Sequence, residues 1–220
     1  MYRACIFDMD GTILNTLASI AGFANEALKK YHCPPIDLET YRYLVGNGAD
    51  QLIRGMLRTV KPDFSEQDVR SLRGIYDACY AADPLRGVEQ YDGMPELLAE
   101  LNRRGIPLAV LSNKPDDMVH AVADRLFPGV FRIVRGQTPD IPRKPSPEGA
   151  LRIAEELGVK PCECLYLGDT DVDMKTGRAA GMETIGVLWG FRTRDELERS
   201  GADQIARIPA DVLKILDTAM

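Results

Sequence analysis

The chain has 220 residues, 45% of them hydrophobic, and a formal net charge of −6. That length and apolar content suit one large domain, or a domain with an insertion, around a packed core, and they argue against disorder. The negative balance excludes a general attraction to nucleic acid or to an anionic membrane surface, so an anionic ligand needs a local positive site. No apolar run approaches the ~20 residues that span a bilayer, and Asp8 arrives too early for a signal peptide. Cys5, Cys33, Cys79, Cys162 and Cys164 are an odd, scattered set, which makes a reducing cytoplasm the expected compartment. Cys162-Glu163-Cys164 lacks a second Cys/His pair nearby and reads as incidental thiols rather than a metal site.

In chain order, Ala4-Cys5-Ile6-Phe7 is a short apolar strand that ends on Asp8, with Asp10-Gly11-Thr12 just beyond. Side chains two apart on an extended segment point the same way, so Asp8 and Asp10 can project together; an ordinary strand end followed by an Asp-Gly turn is the plainer alternative. Leu17, Ile20, Ala21, Ala24, Leu28 and Tyr31 recur at helical spacing, predicting a helix over 17–31 with Thr16 as N-cap. A short helix is expected over Leu38 to Leu44, then a Gly46-Asn47-Gly48 loop, then a helix with Ile53, Met56, Leu57 and Val60 on one face. Ser65 and Asp68 form a capping-box-like pair before a helix that turns Val69, Leu72, Tyr76, Cys79 and Tyr80 inward. No strand pattern interrupts 15–82, so this is an all-helical block.

From Asp92 the pattern alternates. Pro95 and Gly105 bracket a helix, Pro107 to Leu111 is a strand, 117–126 a helix, and Val130 to Val134 a strand. Pro147 and Gly158 bracket another helix, Cys164 to Leu167 is a strand, and Asp171 to Ala180 is helical. Thr184 to Val187 is a strand, and helices near 194–199 and 210–217 close the chain. Alternating strands and helices predict an α/β fold, a Rossmann-like parallel sheet covered on both faces. The first strand must join that sheet, so 1–14 and 88–220 are expected to form the core, with 15–87 inserted as a helical domain.

Ligands of open parallel sheets bind beyond the carboxyl ends of the strands. Asp8, Ser112-Asn113 and Asp169 all sit at such ends, and Lys144 lies in a loop long enough to reach them. Two carboxylates ~4 Å apart repel by about 4 kcal/mol at an effective dielectric near 20. Asp8, Asp169 and Asp173 therefore ask for a cation, and a hard oxygen-ligated dication such as Mg²⁺ fits. A carboxylate on a metal beside a phosphate site suggests an aspartyl-phosphate, with Asp8 as nucleophile and Asp10 as general acid and then base. Ser112 and Asn113 can donate to a phosphoryl oxygen, and Lys144 supplies fixed positive charge. Taken singly, Asp173 could be a helix N-terminal charge, Ser112-Asn113 a strand-to-helix turn and Lys144 a solvated loop lysine.

The segments DMDGT, LSNKP, RKPSP and GDTDVD, in that order, resemble the four motifs of the haloacid dehalogenase superfamily across nearly the whole chain. The helical block resembles that family's cap placed directly after the first motif, with hinges near 14–17 and 82–92. The resemblance implies a phosphatase in which Asp8 is nucleophile, Asp10 acid/base, Ser112 and Lys144 phosphate-binding, and Asp8, Asp10 (through its backbone carbonyl), Asp169 and Asp173 hold or support Mg²⁺. Within the family, DGTI with Thr16, VGNGAD and LSNKP are most similar to the phosphoglycolate phosphatase branch; Asn15 departs from its usual aspartate. By that likeness Gly46, Asn47 and Gly48 are expected to discriminate substrates; a glycine turn between two helices is the plainer alternative. Arg54 is either an anion contact or a surface residue, and Lys114 either meets a substrate carboxylate or faces solvent. The implied partner is a small phosphorylated metabolite, with no nucleic acid and no membrane, bound by a monomer or homodimer. A β-phosphoglucomutase-like mutase or an inorganic pyrophosphatase shares the framework. A phosphonate hydrolase is disfavoured because 42–60 lacks a lysine, and a dehalogenase because Asp10 would have no role. A receiver domain is disfavoured by the helical insertion.

Overall fold

Ala4–Phe7 forms strand β1, and all four residues are buried in the computed structural model, which describes residues 2–218. Burial on both faces is what an uninterrupted apolar run predicts for the middle of a parallel sheet. The chain continues through β2 (Leu14–Asn15), α1 (Leu17–Lys30), α2 (Leu38–Leu44), α3 (Ala49–Val60), α4 (Glu66–Ala82) and β3 (Glu89–Gln90). Then come α5 (Met94–Arg103), β4 (Leu108–Pro115), α6 (Asp116–Leu126), β5 (Ile133–Gln137) and α7 (Glu148–Glu156). A 3₁₀ turn (Pro161–Glu163) leads to β6 (Cys164–Gly168), α8 (Asp171–Ala179), β7 (Glu183–Val187), α9 (Arg194–Arg199), β8 (Gln204–Ala206) and α10 (Ala210–Thr218).

The chain divides into two units: one holds the segment up to Asn15 and from Gln90 onward, the other is Thr16–Glu89. In the first, six strands pair in the order β5-β4-β1-β6-β7-β8, every pairing parallel. The order runs outward from β1 in both directions, so the chain reverses direction across the sheet between β1 and β6, the switch point where such sheets open a crevice. Register fixes what lies there: Phe7 is level with Val110 of β4 and Leu167 of β6. The residues just past those positions are Asp8, Ser112 and Asp169, one from each of three adjacent strands.

Strand alternation sorts the core beneath them. Ala4 and Ile6 share a face with Ala109, Leu111, Cys164 and Tyr166, and this face packs on Ala150, Ile153 and Ala154 of α7. In the helical unit, α4 buries Val69, Leu72, Tyr76, Cys79 and Tyr80, the stripe expected from its periodicity, and Ser65 and Asp68 cap it reciprocally. Phe23 of α1 meets Tyr80 with ring centroids 5.0 Å apart.

Three local expectations are corrected, and one strand adds to those expected. Thr16 occupies the N-cap position of α1 but makes no side-chain cap bond, because its ψ of 1° is not the extended cap conformation that aims the hydroxyl at the first N–H groups. The strand expected over 130–134 runs instead over Ile133–Gln137. Gly129, with φ +72°, and the Val130 N–H bond to the Phe127 carbonyl hold 127–130 in a turn, and Phe131 packs edge-on to Phe127. The strand expected to stop at Leu111 continues to Pro115, since β5 offers it a partner that far, out to Gln137 opposite Pro115. The edge strand β8 was unread because three residues, one of them an exposed Gln204, carry no periodic signal.

Two helical glycines predict opposite outcomes. A Cβ on Gly177 of α8 would stand 2.5 Å from Thr184 Cγ2 and 2.9 Å from Tyr166 Cβ, whereas one on Gly74 of α4 meets nothing within 4 Å. Gly177→Ala therefore overpacks the sheet contact and should cost about 1–3 kcal/mol. Gly74→Ala should gain about 0.5–1 kcal/mol from helix propensity alone. Urea melts of the two variants should shift in opposite directions, and equal shifts would contradict the packing described.

Candidate active site

The buried end of β1 delivers Asp8, and the buried end of β6 delivers Gly168-Asp169. Carboxylate oxygens of Asp8, Asp169 and Asp173 all lie within 4.8 Å of one another, and all three residues are buried. Lys144 reaches the same point from its loop. Its Nζ is 2.8 Å from Asp8 Oδ1 and 2.7 Å from Asp173 Oδ1, and only 3% of its side chain is exposed. The reading of Lys144 as a solvated loop lysine therefore falls.

Each acid is held by its own set of donors. Asp169 accepts from Thr12 Oγ1 at 3.2 Å and from the Phe191 N–H at 2.8 Å. Asp173 accepts from the Thr170 N–H at 3.1 Å and from its hydroxyl at 2.7 Å, which closes a capping box at the start of α8 while its other oxygen faces Lys144. Asp173 thus both caps α8 and stands in the acidic cluster. Three glycines admit this crowding. A Cβ at Gly11, whose φ is +91°, would sit 2.3 Å from Asp169 Oδ2; one at Gly190 would sit 2.2 Å from Asp169 Cβ, and one at Gly168 2.1 Å from Asp173 Cβ.

Electrostatics follow from that burial. Burial raises the Asp8 pKa most; Lys144 pulls it down, Asp173 and Asp10 push it up, and it ends pushed up to about 7. Burial, then Asp173 and Asp8, lift Asp169 well above the ordinary carboxylate range. Burial works against the Lys144 ammonium, but Asp173 and Asp8 outweigh it and hold its pKa well above the ordinary lysine value. Three carboxylates against one ammonium leave two negative charges over, the charge of a single divalent cation. The donor set is all oxygen, as Mg²⁺ requires. The residues present fit that ion, with Asp8 and Asp169 as ligands and Asp173 beside them.

Asp10 stands apart from the triad. Its Oδ1 accepts from Lys114 Nζ at 3.0 Å, and the two side chains are 14% and 7% exposed. Lys114 is therefore not a solvent-facing residue. Ser112 is buried within β4, and its Oγ accepts from the Lys114 N–H at 3.3 Å. The Asn113 side chain, expected at the substrate, makes two bonds to the Lys144 backbone: Nδ2 donates to its carbonyl at 3.1 Å and Oδ1 accepts its N–H at 2.8 Å. Arg54, expected as an anion contact or a surface residue, forms a two-point pair with Glu66 at 2.6 and 2.7 Å. Gly46, Asn47 and Gly48 form the α2–α3 turn of the helical unit, with φ of +113° at Gly46 and +81° at Gly48. Sequence reasoning missed Thr12, Thr170 and the Gly190-Phe191 turn as supports of the acids. A glycine paired with an aromatic after a strand was the one signal available for the last.

A sequence model of the haloacid dehalogenase-like hydrolases matches residues 2–181. The chain belongs to this family. A phosphoglycolate phosphatase of Rhodospirillum rubrum is 32% identical over 210 residues, covering 92% of this chain and 86% of that protein. An N-acetylmuramic acid 6-phosphate phosphatase of Pseudomonas aeruginosa is 29% identical, covering 99% and 96%. A crystal structure of a predicted phosphoglycolate phosphatase from Haemophilus somnus superposes with a TM-score of 0.91 at 25% identity, over 98% of each chain. Among the described residues, no helix of this family member is long and apolar enough to cross a membrane.

The acids make a pH-dependent prediction. With pKa values raised in the fold, Asp8 and Asp169 keep protons that unfolded carboxylates release above about pH 4. Their contribution to stability is complete below that pH and is lost as pH rises through about 7 at Asp8. A dication replaces those protons, so Mg²⁺ should raise the melting temperature more at pH 8 than at pH 5.5. At a hundredfold excess over Kd the gain is about 2.7 kcal/mol. Asp169→Asn should lose the Mg²⁺ response and, in EDTA at pH 8, melt no lower than the parent. A metal response that is the same at both pH values would contradict the assignment.

Proposed function

We propose that the chain is a Mg²⁺-dependent phosphomonoester hydrolase of a small anionic metabolite, with 2-phosphoglycolate the leading substrate, acting through an aspartyl-phosphate. The observation that carries this is the buried Asp8–Asp169–Asp173 cluster with Lys144 bridging Asp8 and Asp173. Family membership and relatives named as phosphatases support it.

In this reading the Asp8 carboxylate attacks phosphorus. A bond forms between Asp8 and phosphorus, the ester P–O bond breaks, and Asp10 gives its proton to the departing alkoxide. Asp10 then takes a proton from water as that water attacks phosphorus, which frees Asp8 and releases phosphate. Lys144 and the Ser112 hydroxyl hold the phosphoryl oxygens, and Asn113 acts by fixing the peptide that carries Lys144. Mg²⁺ would be held by Asp8, Asp169 and the Asp10 carbonyl with Asp173 in support, and would supply charge neutralisation for a nucleophile meeting an anion. The helical unit is assigned the role of cap, and its Gly46-Asn47-Gly48 turn the role of selecting the substrate, by resemblance to the family.

The test is release of inorganic phosphate from a panel holding 2-phosphoglycolate, N-acetylmuramic acid 6-phosphate, β-glucose 1-phosphate and pyrophosphate, with Mg²⁺ and with EDTA. Release from a carboxylated monoester should need Mg²⁺ and fall more than about a thousandfold in Asp8→Asn. Conversion of β-glucose 1-phosphate to the 6-phosphate without free phosphate would favour the mutase instead. Preferential turnover of pyrophosphate would favour the pyrophosphatase.

A further inference from the structure

Lys114 is a second lysine at the site, and the reaction as written gives it nothing to do. Lys144 is committed to Asp8 and Asp173, and Arg192 pairs with Glu196 at 3.0 Å. Lys114 is neither beside the nucleophile nor out in water: its Nζ donates to Asp10 Oδ1 at 3.0 Å with 7% of the side chain exposed. An ammonium so largely removed from water needs an anion against it. The structure places that ammonium against the one carboxylate that, in the proposed reaction, faces the departing oxygen.

We propose that Lys114 is a specificity-determining residue that receives a carboxylate on the alcohol half of the substrate, so that the site favours phosphate esters of short hydroxy acids. This rests on the reading of Asp10 as the group facing the leaving oxygen. The geometry is additive. An oxygen hydrogen-bonded to Asp10 Oδ1 lies about 2.7 Å from that atom, and Lys114 Nζ lies 3.0 Å from the same atom. The leaving oxygen and the ammonium are thus within about 6 Å of each other. A carboxylate one carbon from the ester oxygen spans that gap and bonds Lys114 while the ester oxygen stays at Asp10. A neutral hydroxymethyl group in the same place offers no counter-charge. Backbone placement supports a built position: Lys114 sits in β4, and its own N–H is tied to Ser112 Oγ, the hydroxyl assigned to the phosphoryl group. Phosphate contact and carboxylate contact are therefore two residues apart and joined by that bond, in the stretch of β4 where its register with β5 shifts.

The experiment compares 2-phosphoglycolate with 2-hydroxyethyl phosphate, which replaces the carboxylate by a hydroxymethyl group. The ratio of kcat/KM values is measured for the parent, Lys114→Met and Lys114→Arg. The parent should prefer the carboxylated ester by about 10- to 100-fold, the strength of one charge-assisted bond. Lys114→Met should bring the ratio to within about threefold of one, and Lys114→Arg should keep part of it. A parent ratio near one, or a fall shared equally by both esters in Lys114→Met, would overturn the inference and leave Lys114 as an anchor for Asp10. Calorimetric binding of the same two esters to Asp8→Asn, with and without Lys114→Met, reads the selectivity without turnover. A parent inert to every ester, whose Asp8→Asn form still binds 2-phosphoglycolate through Lys114, would count against the proposed reaction and for this contact. An Asp8→Asn protein that binds the two esters alike would count against the contact itself.

Discussion

The site depends on holding three carboxylates and one ammonium together out of water. At an effective dielectric near 20, two carboxylates no more than 4.8 Å apart repel by at least about 3.5 kcal/mol. Each of the two Lys144 contacts, at 2.7 and 2.8 Å, returns about 6 kcal/mol on the same scale. Dehydration comes on top of both, and burial is the largest cause of the raised pKa at Asp8 and Asp169. The cluster does not hold itself together. The apolar strands β1, β4 and β6 and the helices against them impose it, and the excess negative charge is the property a cation uses.

Imposing it requires backbone to approach side chains at distances no Cβ permits. Gly11, Gly168 and Gly190 supply that room, and the peptide N–H of Phe191 and the hydroxyls of Thr12 and Thr170 fix the carboxylate rotamers. These supports belong to the fold itself, and a charge site is useful to catalysis in proportion to how little it must rearrange. The Trp189 indole N–H donates to the Thr12 carbonyl at 2.9 Å, which ties the β7–α9 turn back to the segment after β1. Thr12 thus holds Asp169 with its side chain and is held by the same turn through its backbone.

Most of the fold was legible where periodicity was strong. The buried stripe of α4 and its reciprocal cap, the span of α2, and the strands ending at Asp8 and Asp169 follow from apolar spacing and from residues with one local preference. The weak reading at 130–134 had the opposite cause: Val130 and Phe131 are apolar, but Gly129 bends the chain just before them and the pairing begins later. In the site, the meeting of Asp8, Asp169, Asp173 and Lys144 could be inferred from strand-end position and charge alone. The partners of Asn113, Lys114 and Arg54 could not. Each is a polar side chain whose partner lies in another element, and nothing in local sequence distinguishes a tertiary ion pair from a solvated face.

The Ser112-Asn113-Lys114 tripeptide shows what resolves that ambiguity: it lies where the register of β4 on β5 shifts between Leu111 and Pro115, so its side chains are placed by tertiary partners rather than by strand alternation. Lys114 turns to Asp10 and its N–H to Ser112 Oγ, while Asn113 reaches the peptide of Lys144 across the neighbouring loop. Those partners divide the segment's work: Lys114 meets the carboxylate assigned to proton transfer, and Asn113 fastens the lysine that bridges Asp8 and Asp173. An irregular stretch suits this, because a bulged strand re-aims side chains that a regular ladder would hold in fixed alternation.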